Sequence, residues 1–316
     1  MKNLLLTSSL ALAFCAGGAL AQEAGFQGGE VNLSFAAYSN DNYDNSVNNF
    51  SGNFSTAYNI SPAFGVQVGA GYNSFSLDEG DAAISIDMTD INAHAYYNFN
   101  ENGKAGIFVA RYSLSNLFLE EIDGPGFEVL ELASDLMTYG VEGTMEFGGV
   151  SVELRYGMAE VQNSFLLYEI DPTLLDISFV TADVGYEISP KLEITARLAN
   201  THLSYDGDSV DLFTYGVGAE YEVMTNLKVL AGLNGGQVSW SMGPETIDSF
   251  GYSLGVEYEL AAGSASDQGI TLYASFGSNN ITDDGGMDED VSNFKIGASI
   301  PFGSNSDDLY SRIKLF

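Results

Sequence analysis

The sequence predicts an all-β protein, a transmembrane antiparallel up-and-down β-barrel of about 14 strands, with roughly 12 or 16 as the alternatives. Three observations lead there: apolar and polar residues alternate with period two in segment after segment, turn signals divide the segments, and the connections differ in length at the two ends. Tyr186–Ala199 shows the unit. Before the turn, Val180, Ala182, Val184, Tyr186 and Ile188 share one parity, while Thr181, Asp183, Gly185 and Glu187 share the other. Ser189–Pro190–Lys191 then makes the turn, because proline fixes φ and has no N–H for a central ladder. After it, Leu192, Ile194, Ala196 and Leu198 alternate with Glu193, Thr195 and Arg197. The polar face mixes acids, bases and glycine, which suits a wet interior. The apolar face, with an aromatic beside the turn, suits lipid.

The N-terminus explains how such a wall reaches a membrane. Lys2, the apolar run Leu4–Leu20 and Ala19–Leu20–Ala21 before Gln22 read as a signal peptide cleaved after residue 21. The domain reading is therefore signal peptide 1–21, barrel 22–303, and 304–316 as a periplasmic tail or the terminal strand. Cys15 is the sole cysteine and is expected to leave with the peptide, which excludes disulfides and thiolate metal sites. No later segment approaches the roughly 18 consecutive apolar residues of a membrane helix. The 36 Gly, 18 Tyr and 20 Phe suit strands with aromatic girdles and small lumen residues. With 43 acids against 10 Lys and Arg, a nucleic-acid partner is excluded.

Taken in order, the alternating segments lie near 30–38, 49–60, 64–77, 84–99, 105–116, 135–147, 150–162, 177–188, 191–204, 211–223, 227–240, 249–260, 269–278 and 292–302. Short connections are expected after Ile60, Phe99, Phe147, Ile188, Val223 and Leu260. Longer ones, acidic or rich in Asn and Gly, are expected after Tyr38, Leu77, Asn116, Gln162, Ser204, Ser241 and Ser278. Pro62, Pro125, Pro172, Pro190 and Pro244 all fall in connections, where a missing N–H costs least. Tyr58, Tyr97 with Phe99, Phe147, Tyr186, Tyr221 and Tyr258 sit beside short turns on the apolar parity, drawing one girdle at a membrane boundary.

The last segment runs Lys295–Ile296–Gly297–Ala298–Ser299–Ile300–Pro301–Phe302. Lys295, Gly297, Ile300 and Phe302 look like the assembly signal of Gram-negative outer-membrane β-barrels, and with the signal peptide and the hairpin repeat the chain resembles their porin-like members. The resemblance implies an outer-membrane location, recognition by the barrel-assembly machinery, and contact with outer-membrane lipid and lipopolysaccharide; the acidic outer loops read either as a solvated surface or as points bridged to lipopolysaccharide by divalent cations. It implies passive diffusion of small hydrophilic solutes and ions, cations ahead of anions because acids dominate, and it admits a homotrimer.

On the polar parity, turn geometry places Glu142 opposite Arg155, Asp183 opposite Arg197 and Glu222 opposite Lys228. Arg111 stands at a similar distance from its turn as Arg155 and Arg197, so the three arginines are expected as a basic strip on the lumen wall. The longest connection, 117–134, carries Glu120, Glu121, Asp123, Glu128 and Glu131. In general porins the loop at that place folds inward, so the resemblance implies acids facing those arginines across a constriction.

No cofactor, metal site or catalytic residue is expected. His94 reads as a hydrogen-bonded wall residue beside Asn92 and Tyr96, and the pairs Glu220/Glu222 and Glu257/Glu259 as cation-attracting wall. Two other readings compete with a channel: a closed structural or adhesive barrel, and a surface lipid enzyme using His202 with Ser204.

Overall fold

A computed structural model describes residues 25–303 apart from 41–42, 62, 80–81, 101, 116–133, 165–174, 242–245, 261–268 and 287. Its strands are β1 (Phe26–Asn40), β2 (Tyr43–Ser61), β3 (Phe64–Glu79), β4 (Ala82–Asn100), β5 (Gly103–Ser115), β6 (Ser134–Phe147), β7 (Val150–Ser164), β8 (Leu175–Ser189), β9 (Leu192–Tyr205), β10 (Asp208–Met224), β11 (Leu227–Trp240), β12 (Thr246–Leu260), β13 (Ile270–Asp283) and β14 (Asp288–Phe302). All pair antiparallel with their sequence neighbours, and β1 pairs with β14 from Gly29↔Phe302 to Asn40↔Val291, closing the barrel. The expected strand count and the end of the last strand at Phe302 both hold. The proposed signal peptide and the tail 304–316 lie outside the described residues.

Closure removes both sheet edges, so each strand is hydrogen-bonded to a neighbour on either side, as a strand wall in hydrocarbon requires. At the end that carries both termini, the lower end, five connections of two residues each join β2–β3, β4–β5, β6–β7, β8–β9 and β10–β11. Gly148 and Gly149 make one of them, with φ of 59° and 83°. Two successive positive φ values match the twist of a right-handed hairpin.

The upper end corrects part of the loop expectation. The connections after β5 and β7 are long, but β1–β2, β3–β4 and β9–β10 are separated by only two residues, and β13–β14 by four. The strands themselves continue where loops were expected after Tyr38, Leu77, Ser204 and Ser278. Asp206 (φ 48°) and Gly207 (φ 94°) turn β9 into β10, so Asp-Gly was a hairpin signal set inside an acidic stretch. Conversely β12–β13, at the lower end, is separated by nine residues where a short turn was expected.

Around the lower two thirds, one parity is apolar and faces outward: Ile91 is 69 % exposed and Phe147 81 %. Such exposure would be untenable in water and is required against hydrocarbon. The aromatics expected beside the turns all face outward. A second outward set that the sequence reading did not single out, including Tyr139, Phe213, Tyr215, Phe250 and Tyr252, stands higher, as the second boundary of a roughly 25 Å belt.

The closing strand shows how the seam is sealed. Outside, Phe302 lies over Gly29 between Phe26 and Phe54, stacked on each with centroids 6.0 and 5.9 Å apart. Inside, Tyr273 of β13 lies over Gly297, where a Cβ would overlap the ring, and Lys295 Nζ stands 5.5 Å above that ring. Gly297→Val should therefore displace Tyr273 and destabilise the folded barrel by about 1–3 kcal/mol. Urea unfolding in lipid vesicles reads this, and an unchanged midpoint would show that the ring has room elsewhere.

Above the belt the alternation inverts. Outward positions become polar (Ser76, Asp87, Ser113, Glu160, Asp176, Ser204, Asp211, Asp248), while inward positions become apolar. Inward Phe75 opposes Ile86, Met88 opposes Leu114, and Leu136 opposes Val161. On the other side the run Ile177–Leu203–Val210–Trp240 is directly opposed strand by strand. A strand end that leaves the bilayer must turn its polar side to water, so its apolar side faces inward.

Candidate conducting lumen

Below that apolar tier the inward residues are first neutral and then charged. The register places Glu142 opposite Arg155, Asp183 opposite Arg197 and Glu222 opposite Lys228, as the turns predict. Glu142 is fully enclosed. Its carboxylate meets His94 Nδ1 at 2.6 Å and Arg155 Nη2 at 3.2 Å. The same guanidinium nitrogen reaches Glu153 at 3.2 Å, and the guanidinium group stands 5.3 Å from the Phe108 ring centre. Arg155 thus ties three strands together, and His94 is the hydrogen-bonded wall residue expected of it.

Glu153 and Asp183 are register partners, two carboxylates placed side by side. Like charges directly opposed are unfavourable. Arg155 on one side and Arg197, 3.4 Å from Asp183, on the other offset the repulsion. Lys228 departs from the expected pairing: its ammonium binds Glu220, the diagonal neighbour, instead of Glu222 directly opposite. A four-carbon stem reaches a diagonal partner easily.

Arg111 is not part of the lumen. It shares the outward parity of Ile107 and Val109, its side chain is 63 % exposed, and it binds Asp135 at 2.8 Å on the outer surface. Distance from the turn suggested a common height for the three arginines, but Arg111 is eight residues past Gly103, on the same parity as that strand-opening residue, and parity decides the face. The basic strip therefore reduces to Arg155 and Arg197. Arg111→Glu is expected to leave the ion selectivity of any conducting path unchanged, and a shifted reversal potential would contradict this placement. The constriction acids Glu120, Glu121, Asp123, Glu128 and Glu131 lie outside the described residues.

His202 faces outward as expected, but it binds Asp211 at 2.9 Å across the β9–β10 pair. Among the described residues, no group of three or more His, Cys, Asp or Glu is placed to hold a metal ion.

Two features leave space inside. Large inward side chains lie along the wall over glycines: Tyr96 over Gly65, Tyr273 over Gly297 and Asn279 over Gly251. Only glycine lets a neighbour lie that flat. At the lower mouth a cavity of about 560 Å³ opens between β6 and β11, lined by Glu146, Glu187, Glu193, Glu220 and Glu222 with Lys191 and Lys228. Glu187, Glu193 and Glu220 form one rung, each opposite the next.

The fold is shared with known barrels at low identity. OmpT of Vibrio cholerae lacking loop L8, described as an outer membrane protein, superposes with a TM-score of 0.51 at 14 % identity, covering 86 % of this chain and 98 % of that one. A FadL homologue of Pseudomonas aeruginosa gives 0.54 at 10 % identity, covering 88 % and 90 %. CdiB from Acinetobacter baumannii gives 0.52 at 11 % identity over 86 % of this chain and 60 % of that one. No curated protein sequence matches. A family model for the outer membrane protein beta-barrel domain matches residues 7–120 and 144–302, most of the chain, and the protein accordingly belongs to that family of Gram-negative outer-membrane barrels.

Proposed function

We propose that the protein is a diffusion channel for small hydrophilic solutes and ions that admits cations more readily than anions. It resides in the outer membrane of a Gram-negative bacterium. Short turns face the periplasm in such barrels, so the lower end is periplasmic and the upper end extracellular. The observation that carries the reading is the way bulky inward side chains lie flat over glycines, which keeps them off the barrel axis. Small barrels of about eight strands fill with side chains, whereas about sixteen leave a water channel, and fourteen strands with a flattened lining favour the latter.

Cation preference follows from the periplasmic vestibule, where five glutamates face two lysines. A low-dielectric wall concentrates the field of this net negative charge on any ion crossing it. No chemistry beyond passage is required. The two histidines lie in different settings, His94 in a buried ion-pair network and His202 on the outer surface. Purified protein in a planar bilayer should give discrete conductance steps, with a reversal potential on the cation side in a potassium chloride gradient. A silent bilayer would favour the closed structural barrel.

A further inference from the structure

The apolar inward tier at the extracellular end lines the mouth of the same lumen, yet its apolar side chains give hydrophilic solutes nothing to bind. It is neither a packed core nor part of the lipid-facing belt. Inward Phe75 remains 37 % exposed and Leu212 42 %, whereas inward Ala36 and Leu230 below them are 2 % and 4 % exposed. The upper tier is therefore an open apolar cup, above a tier whose side chains lie close against the wall. Its rim is wet outside and greasy inside, the reverse of the membrane belt.

The floor of the cup says what would occupy it. One register step below Leu136, Leu203, Leu212, Ile281 and Val291 stand Thr138, Thr201, Thr214, Asn279 and Asn293. These are neutral hydroxyl and amide groups. Among the described residues no Lys or Arg faces inward at or above this floor, whereas Asp90 and Glu289 do. An anionic headgroup would meet repulsion there without a counter-ion. We infer that the cup binds an uncharged apolar molecule from the external medium, of alkyl or aryl character, with at most a neutral polar end that hydrogen-bonds the Thr and Asn floor. Apolar contact removes the ligand's surface from water, and the floor satisfies a hydroxyl that would otherwise be buried bare. This goes beyond the channel reading, since binding in the upper tier does not require the path below to conduct.

Trp240, the only tryptophan in the chain, stands in the apolar tier opposite Val210 and reports directly on occupancy. Full-length barrel in lipid nanodiscs at pH 8 is titrated with 6-bromohexan-1-ol, a neutral heavy-atom quencher, and separately with its anionic counterpart 6-bromohexanoate. Saturable quenching by the alcohol is expected, with the carboxylate at least tenfold weaker. Leu212→Asp with Val238→Asp should convert saturation to a shallow linear response, while Gln237→Glu, an outward charge at the same height, should leave it saturable. Ile247→Asp replaces the double variant if that one fails to fold, as judged by heat-modifiable migration. Linear quenching in every protein, equal response to the anion, or a Trp240 insensitive to either probe because the chain itself fills the cup would each overturn the inference. Conductance recorded on the same preparations keeps failure of the cup separate from failure of the channel.

Discussion

Arg155→Ala should destabilise the barrel by about 3–5 kcal/mol, because it strands two buried carboxylates in a low-dielectric wall. Glu142 is fully enclosed and Glu153 nearly so, and both lie 3.2 Å from the Arg155 guanidinium. His94 meets Glu142 from the other side, 2.6 Å away, and so does not replace the guanidinium between the two carboxylates. Asp183, opposite Glu153, would then also depend on Arg197 alone. Removing both charges with the guanidinium, as in Arg155→Met with Glu142→Gln and Glu153→Gln, should restore much of the loss, since an apolar or neutral replacement of a whole buried network is often tolerated. Urea unfolding in lipid vesicles measures both. A loss below about 1 kcal/mol in the single variant would mean that water reaches these carboxylates and the network is a surface one.

The second large effect concerns selectivity. Converting Glu187, Glu193 and Glu220 to glutamine together should lower the cation-to-anion permeability ratio by roughly three- to sixfold. Each carboxylate about 8 Å from a passing ion in water changes its energy by roughly 0.5 kcal/mol, and salt at physiological strength screens that to about a third. Three charges on one rung act together, and they act on cation and anion with opposite sign. The same variant also releases Lys228 from Glu220, which adds to the effect. Reversal potentials in a salt gradient measure the ratio. No change would place the conducting path elsewhere in the lumen.

What was legible in the sequence was whatever a period of two and a turn determine between them. Strand number, the pairs Glu142–Arg155 and Asp183–Arg197, the wall role of His94 and the aromatic girdle beside the short turns all follow from local alternation anchored at a tight turn. Errors arose where that anchor was replaced by another criterion. Arg111 was placed by height, although its neighbours Ile107 and Val109 fix it on the lipid parity. The extracellular hairpins were read as loops because their outward residues become acidic and their inward residues apolar, as at Asp290 and Val291. That is the pattern of a strand that has left the bilayer, and a single strand shows only a blurred alternation there. The choice of Glu220 over Glu222 by Lys228 depends on side-chain reach, which register alone does not specify.

The most direct test of the whole account is a spin-label scan of β10, placing one cysteine at a time at positions 209–222 of a Cys15-free chain in lipid vesicles. Collision with oxygen should peak at the odd positions from Phe213 to Tyr221, and collision with a water-soluble nickel chelate at Thr214, Gly216, Gly218 and Glu220. At Asp211 the outward label should meet water instead of lipid. A scan without alternation, or with oxygen contact at the even positions, would contradict a wall that presents one parity to hydrocarbon and the other to a wet interior.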